Sequence, residues 1–288
     1  MLHESASWPI PIVLAGLTLL LVAGVIGGRR WSPHPYFRYL WAFFLIFAVA
    51  EWVSFTLAAW ILALFAYVAL REFFSLMSFR IQDRWGILAA YLSIPFMIYL
   101  IQIDWYGMFI ISVPVYTFLL IPFLVALGRG EARGTVLSTG MIDFGLFLVV
   151  YCLGHIAYLT HFSPRMAAVF VAGAALADGI GRLLGRRGPL LRFAASAPAV
   201  LALLLFSSAW STLPLLHAAV LGLMLPALVI VGHCTLAPIE EDLGIGADRL
   251  EPGRGQIFDA IKVFLFTAPV TFHYLRWFLG LGDLPAGP

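Results

Sequence analysis

A chain of 288 residues with 62% apolar and 11% charged residues cannot bury its hydrophobic surface in one water-soluble core. Soluble domains carry about 25% charged residues, and the apolar patch left outside would be far larger than a monomer tolerates. The composition predicts an all-α, polytopic integral membrane helical bundle; the formal charge of +2 says nothing of nucleic acid, since the basic residues are scattered over short loops rather than gathered on one face, and no nucleic-acid partner is expected.

The N-terminal MLHESASWPIP lacks a basic n-region, and Arg29 and Arg30 follow the first apolar run. That order predicts a first helix with its N-terminus outside rather than a cleaved signal peptide. Apolar stretches then recur at 10–27, 39–50, 53–70, 87–103, 107–127, 141–160, 166–181, 194–210, 214–232 and 260–280. A span needs about 20 residues, so the pattern predicts about nine or ten transmembrane helices. One continuous helix over 39–70 would be about 48 Å long, against a hydrocarbon core of about 30 Å, so two short spans meeting near Glu51 are expected. Two spans also put the Arg29–Arg38 and Arg71–Arg84 clusters on one side and leave only Arg165 and Arg276 on the other, as the positive-inside rule requires. The polar loop 233–259 is thus expected in the cytoplasm, and a bacterial inner membrane is the expected location. The chain divides into N-terminal helices, 1–165, and a region 166–288 that contains this loop. Cys152 and Cys234 lack metal or redox spacing and read as packing thiols. No inverted repeat supports a secondary transporter.

Acids inside spans mark sites more often than chance. Asp178 lies in AALADGIGRLLGRR, where Gly179, Gly181 and Gly185 predict close helix contact and Arg182, Arg186 and Arg187 can reach phosphates. A homodimer through these Gly-rich helices is one expectation. Glu51 is the deepest acid, Asp143 reads as interfacial, and His155 and His217 read as packing residues. The richest polar stretch is GHCTLAPIEEDLGIGADRLEPGRGQIFD at 232–259. Carboxylates at that density beside a bilayer suit a metal or phosphate site. Glu240, Glu241 and Asp242 are consecutive, so a helix would spread them about 100° apart and all three cannot ligate one ion. PGRG at 252–255 predicts a tight turn whose amides can hold a phosphate as the last helix begins. Lys262 is the single lysine.

These residues resemble the C-terminal signature of the phosphatidate cytidylyltransferases, or CDP-diacylglycerol synthases, multi-span enzymes that join phosphatidate to CTP and release pyrophosphate. The family pattern runs GD, S-x-x-K-R-D, PGHGG, D-R-x-D and an apolar helix. Here stand Gly232-His233, Ala237-Pro238-Ile239-Glu240-Glu241-Asp242, Pro252-Gly253-Arg254-Gly255-Gln256 and Asp259-Ala260-Ile261-Lys262, while GRLLGRR at 181–187 looks like the family's G-R-x-x-G-K element. The resemblance implies Asp259 and Asp242 as catalytic residues, and Mg2+ held by Asp259, Asp242 and Glu241. It implies Arg182, Arg186, Gly253, Arg254, Gly255 and Lys262 as ligands of phosphatidate and CTP. The departures fall on the chemistry: His233 replaces an aspartate, Glu240-Glu241 replaces a Lys-Arg pair, and Ala260 and Lys262 replace an arginine and an aspartate. Reversed charge beside a triphosphate turns attraction into repulsion. The alternatives are therefore a catalytically degenerate relative, which binds anionic lipid or nucleotide or scaffolds lipid enzymes, and a transporter with Glu51 and Asp178 along its pathway.

Overall fold

The structure, a computed structural model, describes residues 8–26, 36–128, 132–185, 187–244 and 255–281. Among these residues ten helices alternate in direction: α1 Pro9–Ile26, α2 Tyr36–Trp52, α3 Phe55–Ser75, α4 Ile81–Gln102, α5 Tyr106–Leu127, α6 Thr135–Phe162, α7 Pro164–Leu184, α8 Pro189–Ser211, α9 Leu215–Asp242 and α10 Gln256–Leu279. Eight are long and apolar enough to cross a membrane; α2, with 17 residues, and α10, with Asp259, Lys262 and Arg276, are the other two. The chain is an integral membrane helical bundle.

The 39–70 run breaks where expected. Trp52 ends α2, and extended Ser54 caps α3 by accepting a hydrogen bond from the Leu57 amide. Glu51 lies beside this break and accepts a 2.7 Å bond from Arg165 Nε at the start of α7.

The sequence expectation is corrected at 233–259. Residues 233–242 are the last turns of the 28-residue α9, not loop, and 256–259 is the first turn of α10. A helix of that length spans about 42 Å and overruns the hydrocarbon core, so its polar end continues into the aqueous interface.

α10 lies at the centre. Every residue from Ile257 to Leu265 is buried, and the helix packs against α2, α3, α6, α7 and α9. Phe258, Phe264 and Phe272 interlock there with Phe43, Phe73 and Tyr158. Charged side chains on so enclosed a helix must find partners inside the protein.

Two polar ends result. One holds Glu51–Arg165, a Tyr158 hydroxyl donating to Asp104 at 2.5 Å, Arg276 stacked 3.7 Å from the Tyr106 ring centre, and His217 2.9 Å from the Tyr274 hydroxyl. At the other, buried Asp83 accepts from the Arg80 amide, the Arg80 guanidinium and Ser138. That second end also holds the charged ends of α7, α9 and α10. His155 is buried, with Nδ1 2.8 Å from the Tyr151 carbonyl at the end of a π-helical segment, Leu146–Tyr151, but it is only half satisfied, since Nε2 is buried without a hydrogen-bond partner among the described residues. Asp143 departs from its interfacial reading: both carboxylate oxygens are buried within α6 and have no hydrogen-bond partner among the described residues.

Candidate functional site at the polar ends of α7, α9 and α10

Asp178 is fully buried on α7, one turn before Arg182. At a spacing of four residues the two share a helix face, and Arg182 Nε donates to Asp178 Oδ2 at 2.8 Å. The other Asp178 oxygen lies 2.6 Å from His233 Nε2 on α9. Arg182 also crosses to α10, where Nη1 donates to Asp259 Oδ2 and Nη2 to the Asp259 carbonyl, each at 3.1 Å. Its guanidinium stands 5.4 Å from the ring centre of Tyr36 on α2.

Lys262 completes the chain of charges. Its ammonium donates to both Glu240 oxygens, at 2.7 and 2.9 Å, and lies 2.7 Å from Asp259 Oδ1. The result is one continuous network: His233, Asp178, Arg182, Asp259, Lys262 and Glu240. An enclosed carboxylate without a counter-charge would cost several kcal/mol, so the alternation of sign is what lets these groups sit beneath the surface.

The start of α10 is held by a group the sequence reading missed. Glu72, buried near the end of α3, accepts the Ile257 amide at 2.6 Å and the Phe258 amide at 3.3 Å. These are among the orphan donors of a helix N-terminus, where negative charge is favoured. The amides expected to hold a phosphate are those of the 252–255 turn, of which only Gly255 lies among the described residues; the two that follow in the helix are taken by a carboxylate of the protein. Gly255 precedes them with φ +80°, a left-handed conformation that a Cβ would strain.

The predicted site residues therefore separate into groups. Asp259, Arg182 and Lys262 meet, and Glu240 joins them. Lys262, expected to hold substrate phosphate, instead clamps two carboxylates. Glu241 and Asp242 are exposed at the end of α9; consecutive helical positions point apart, and only Glu240 turns inward. Arg186, Gly253 and Arg254 lie outside the described residues. Gly179, Gly181 and Gly185, expected to admit a neighbouring helix, face open space among the described residues. Among the described residues no three His, Cys, Asp or Glu groups come together as metal ligands. Asp259 and Glu240 are already matched by cations, so the described residues do not fit a protein-held Mg2+ site.

Sequence signals for the missed residues are weak. Asp178 was visible as an acid within a span, but its partner His233 is 55 residues away. Glu72 was hidden beside Arg71 at the membrane edge.

The chain is similar to the uncharacterized protein YnbB of Escherichia coli (strain K12), 24% identical over 260 residues that cover 82% of this chain and 83% of YnbB. No family model matches the chain, and no solved structure matches it. The likeness to YnbB thus extends along most of both chains and is not confined to the polar end.

Proposed function

We propose that this chain is a divergent phosphatidate cytidylyltransferase-like protein that works on an anionic phospholipid at the cytoplasmic face of a bacterial plasma membrane. One observation carries the reading. Positions that fall within the family's scattered motifs, Arg182 and Asp259 with the family's own residue and His233, Glu240 and Lys262 with another, converge in one ion-paired network although they come from three helices. Arg71, Arg80, Arg84, Arg133, Arg187 and Arg192 flank this end, whereas Arg165 and Arg276 are at the opposite one, a bias that supports a cytoplasmic mouth.

In this reaction a phosphatidate oxygen attacks the α-phosphorus of CTP, the bond to the bridging oxygen breaks, and pyrophosphate leaves. Arg182 has five N–H donors, of which three are engaged among the described residues, by Asp178 and Asp259. The remaining two can orient a phosphate oxygen, and Asp259 fixes the guanidinium that does so. Mg2+ enters as part of the CTP substrate.

A second reading, lipid or nucleotide binding without turnover, is favoured by the saturation of Lys262, which a phosphate could reach only by displacing Glu240 or Asp259. Purified protein in mixed micelles with phosphatidate, labelled CTP and Mg2+ distinguishes the two. CDP-diacylglycerol should form slowly, and Asp259→Asn should abolish it. Absence of CDP-lipid above a protein-free blank at high protein would sink the transferase reading, and phosphatidate binding retained in that case would select the second. Activity unchanged in Asp259→Asn would show that the network is not the reactive site.

A further inference from the structure

One face of α7 is almost bare. Ala168, Ala172, Ala175 and Gly179 recur at helical spacing, so the smallest side chains form a row along the helix. Opposite them stand Phe37, Leu40 and Phe44 of α2, and the space between the two helices is not filled. A cavity of about 710 Å³ runs along this face, with Arg182 and Tyr36 at one end. That volume falls within the roughly 300–1,000 Å³ of ligand sites. A second cavity, of about 60 Å³, continues past Ala168 to Ser207 and Trp210 of α8. The two share Val13, Phe44, Ala172 and Leu203, so they form one trough.

The dimensions and charge specify an occupant. Ala168 to Arg182 is a rise of about 21 Å along the helix, against about 15 Å for half of a ~30 Å hydrocarbon core. The trough can therefore take an extended acyl chain through its whole leaflet. Among the described residues its walls are apolar apart from Ser207, Trp210 and the Arg182 end, so water gains little there. α1 forms the outer wall but buries only Ile10 and Gly24, leaving the trough beside the surrounding lipid. At the mouth, the two Arg182 N–H groups that no described residue engages favour a head that carries net negative charge.

We infer that this trough holds one acyl chain of an anionic glycerophospholipid, phosphate at Arg182 and methyl end near Ala168 and Trp210, and that the narrowing from the larger to the smaller cavity sets chain-length preference. The inference rests on the proposed function for the lipid's being the substrate, and it is testable by binding alone. Delipidated protein is reconstituted in phosphatidylcholine nanodiscs containing equal parts of dodecanoyl, palmitoyl and oleoyl phosphatidate. Lipid retained after rapid detergent repurification is then quantified by mass spectrometry.

The wild type should retain palmitoyl and oleoyl phosphatidate over the dodecanoyl lipid by about tenfold, a difference of about 1.4 kcal/mol. Ala168→Phe, which shortens the trough, should erase that preference and keep the short lipid. Phe44→Ala, which widens it, should raise retention of the oleoyl species and decides the matter if Ala168→Phe does not fold. Equal retention of all three lengths by the wild type and by whichever variants fold would overturn the inference, as would equal retention of phosphatidylcholine. CTP transfer without chain discrimination would remove this inference alone. Chain discrimination without transfer would remove only the transferase reading.

Discussion

Glu72 shows how one buried carboxylate positions a site it does not enter. By accepting two amides at the start of α10 it fixes the helix that presents Asp259 and Lys262. Glu72→Ala should cost about 2 kcal/mol, since it removes a cap and leaves buried donors unpaired. Glu72→Gln keeps an acceptor oxygen and should cost less; thermal unfolding in detergent reads the difference. Arg182→Ala should cost about 3–5 kcal/mol because Asp178 and Asp259 lose their shared cation. A loss below about 1 kcal/mol in the same unfolding assay would mean that solvent already screens the pair. Sequence identified Asp178 because an acid within an apolar run stands out, Arg182 as a cation at the end of that run, and Asp259 through the polar stretch and the family resemblance. It could not disclose Lys262 as a clamp, since that role depends on Glu240 approaching from another helix.

Helix contacts divide the glycines by what surrounds them. A Cβ at Gly222 of α9 would lie 2.7 Å from the Leu201 Cα of α8, a backbone atom that cannot swing aside. Gly222→Ala should destabilise by about 1–3 kcal/mol, whereas Gly181→Ala, which meets open space on α7, should be neutral or stabilise by up to about 1 kcal/mol. Paired melting curves test this, and a harmless Gly222→Ala would place α8 and α9 farther apart than described. The same contrast explains what was legible at this scale. Apolar run length gave the ten helices because bilayer thickness sets it. Hydropathy marks where lipid ends rather than where helix ends, so the apolar run 214–232 stops ten residues before α9 does. Gly-rich spacing on α7 suggested a helix contact, but it opens a trough because the facing side chains on α2 do not close down on it.

At the scale of the molecule, charge and topology agree. In a Cys234→Ser background, Asp242→Cys at the exposed end of α9 should react with a membrane-impermeant maleimide in inside-out vesicles and stay unlabelled in intact cells. Labelling in intact cells would reverse the orientation. The bundle as a whole was legible from composition, but its centre was not: nothing in the sequence order marks the last helix as the one the others surround. That arrangement has a consequence for biosynthesis. Glu72, Arg182 and Glu240 are synthesised before α10, and each takes a partner from it. A nascent chain halted before residue 256 would hold a carboxylate, a guanidinium and another carboxylate with those partners missing. The final helix is thus a completeness check, and a truncated product should be cleared by membrane proteases much faster than the finished chain.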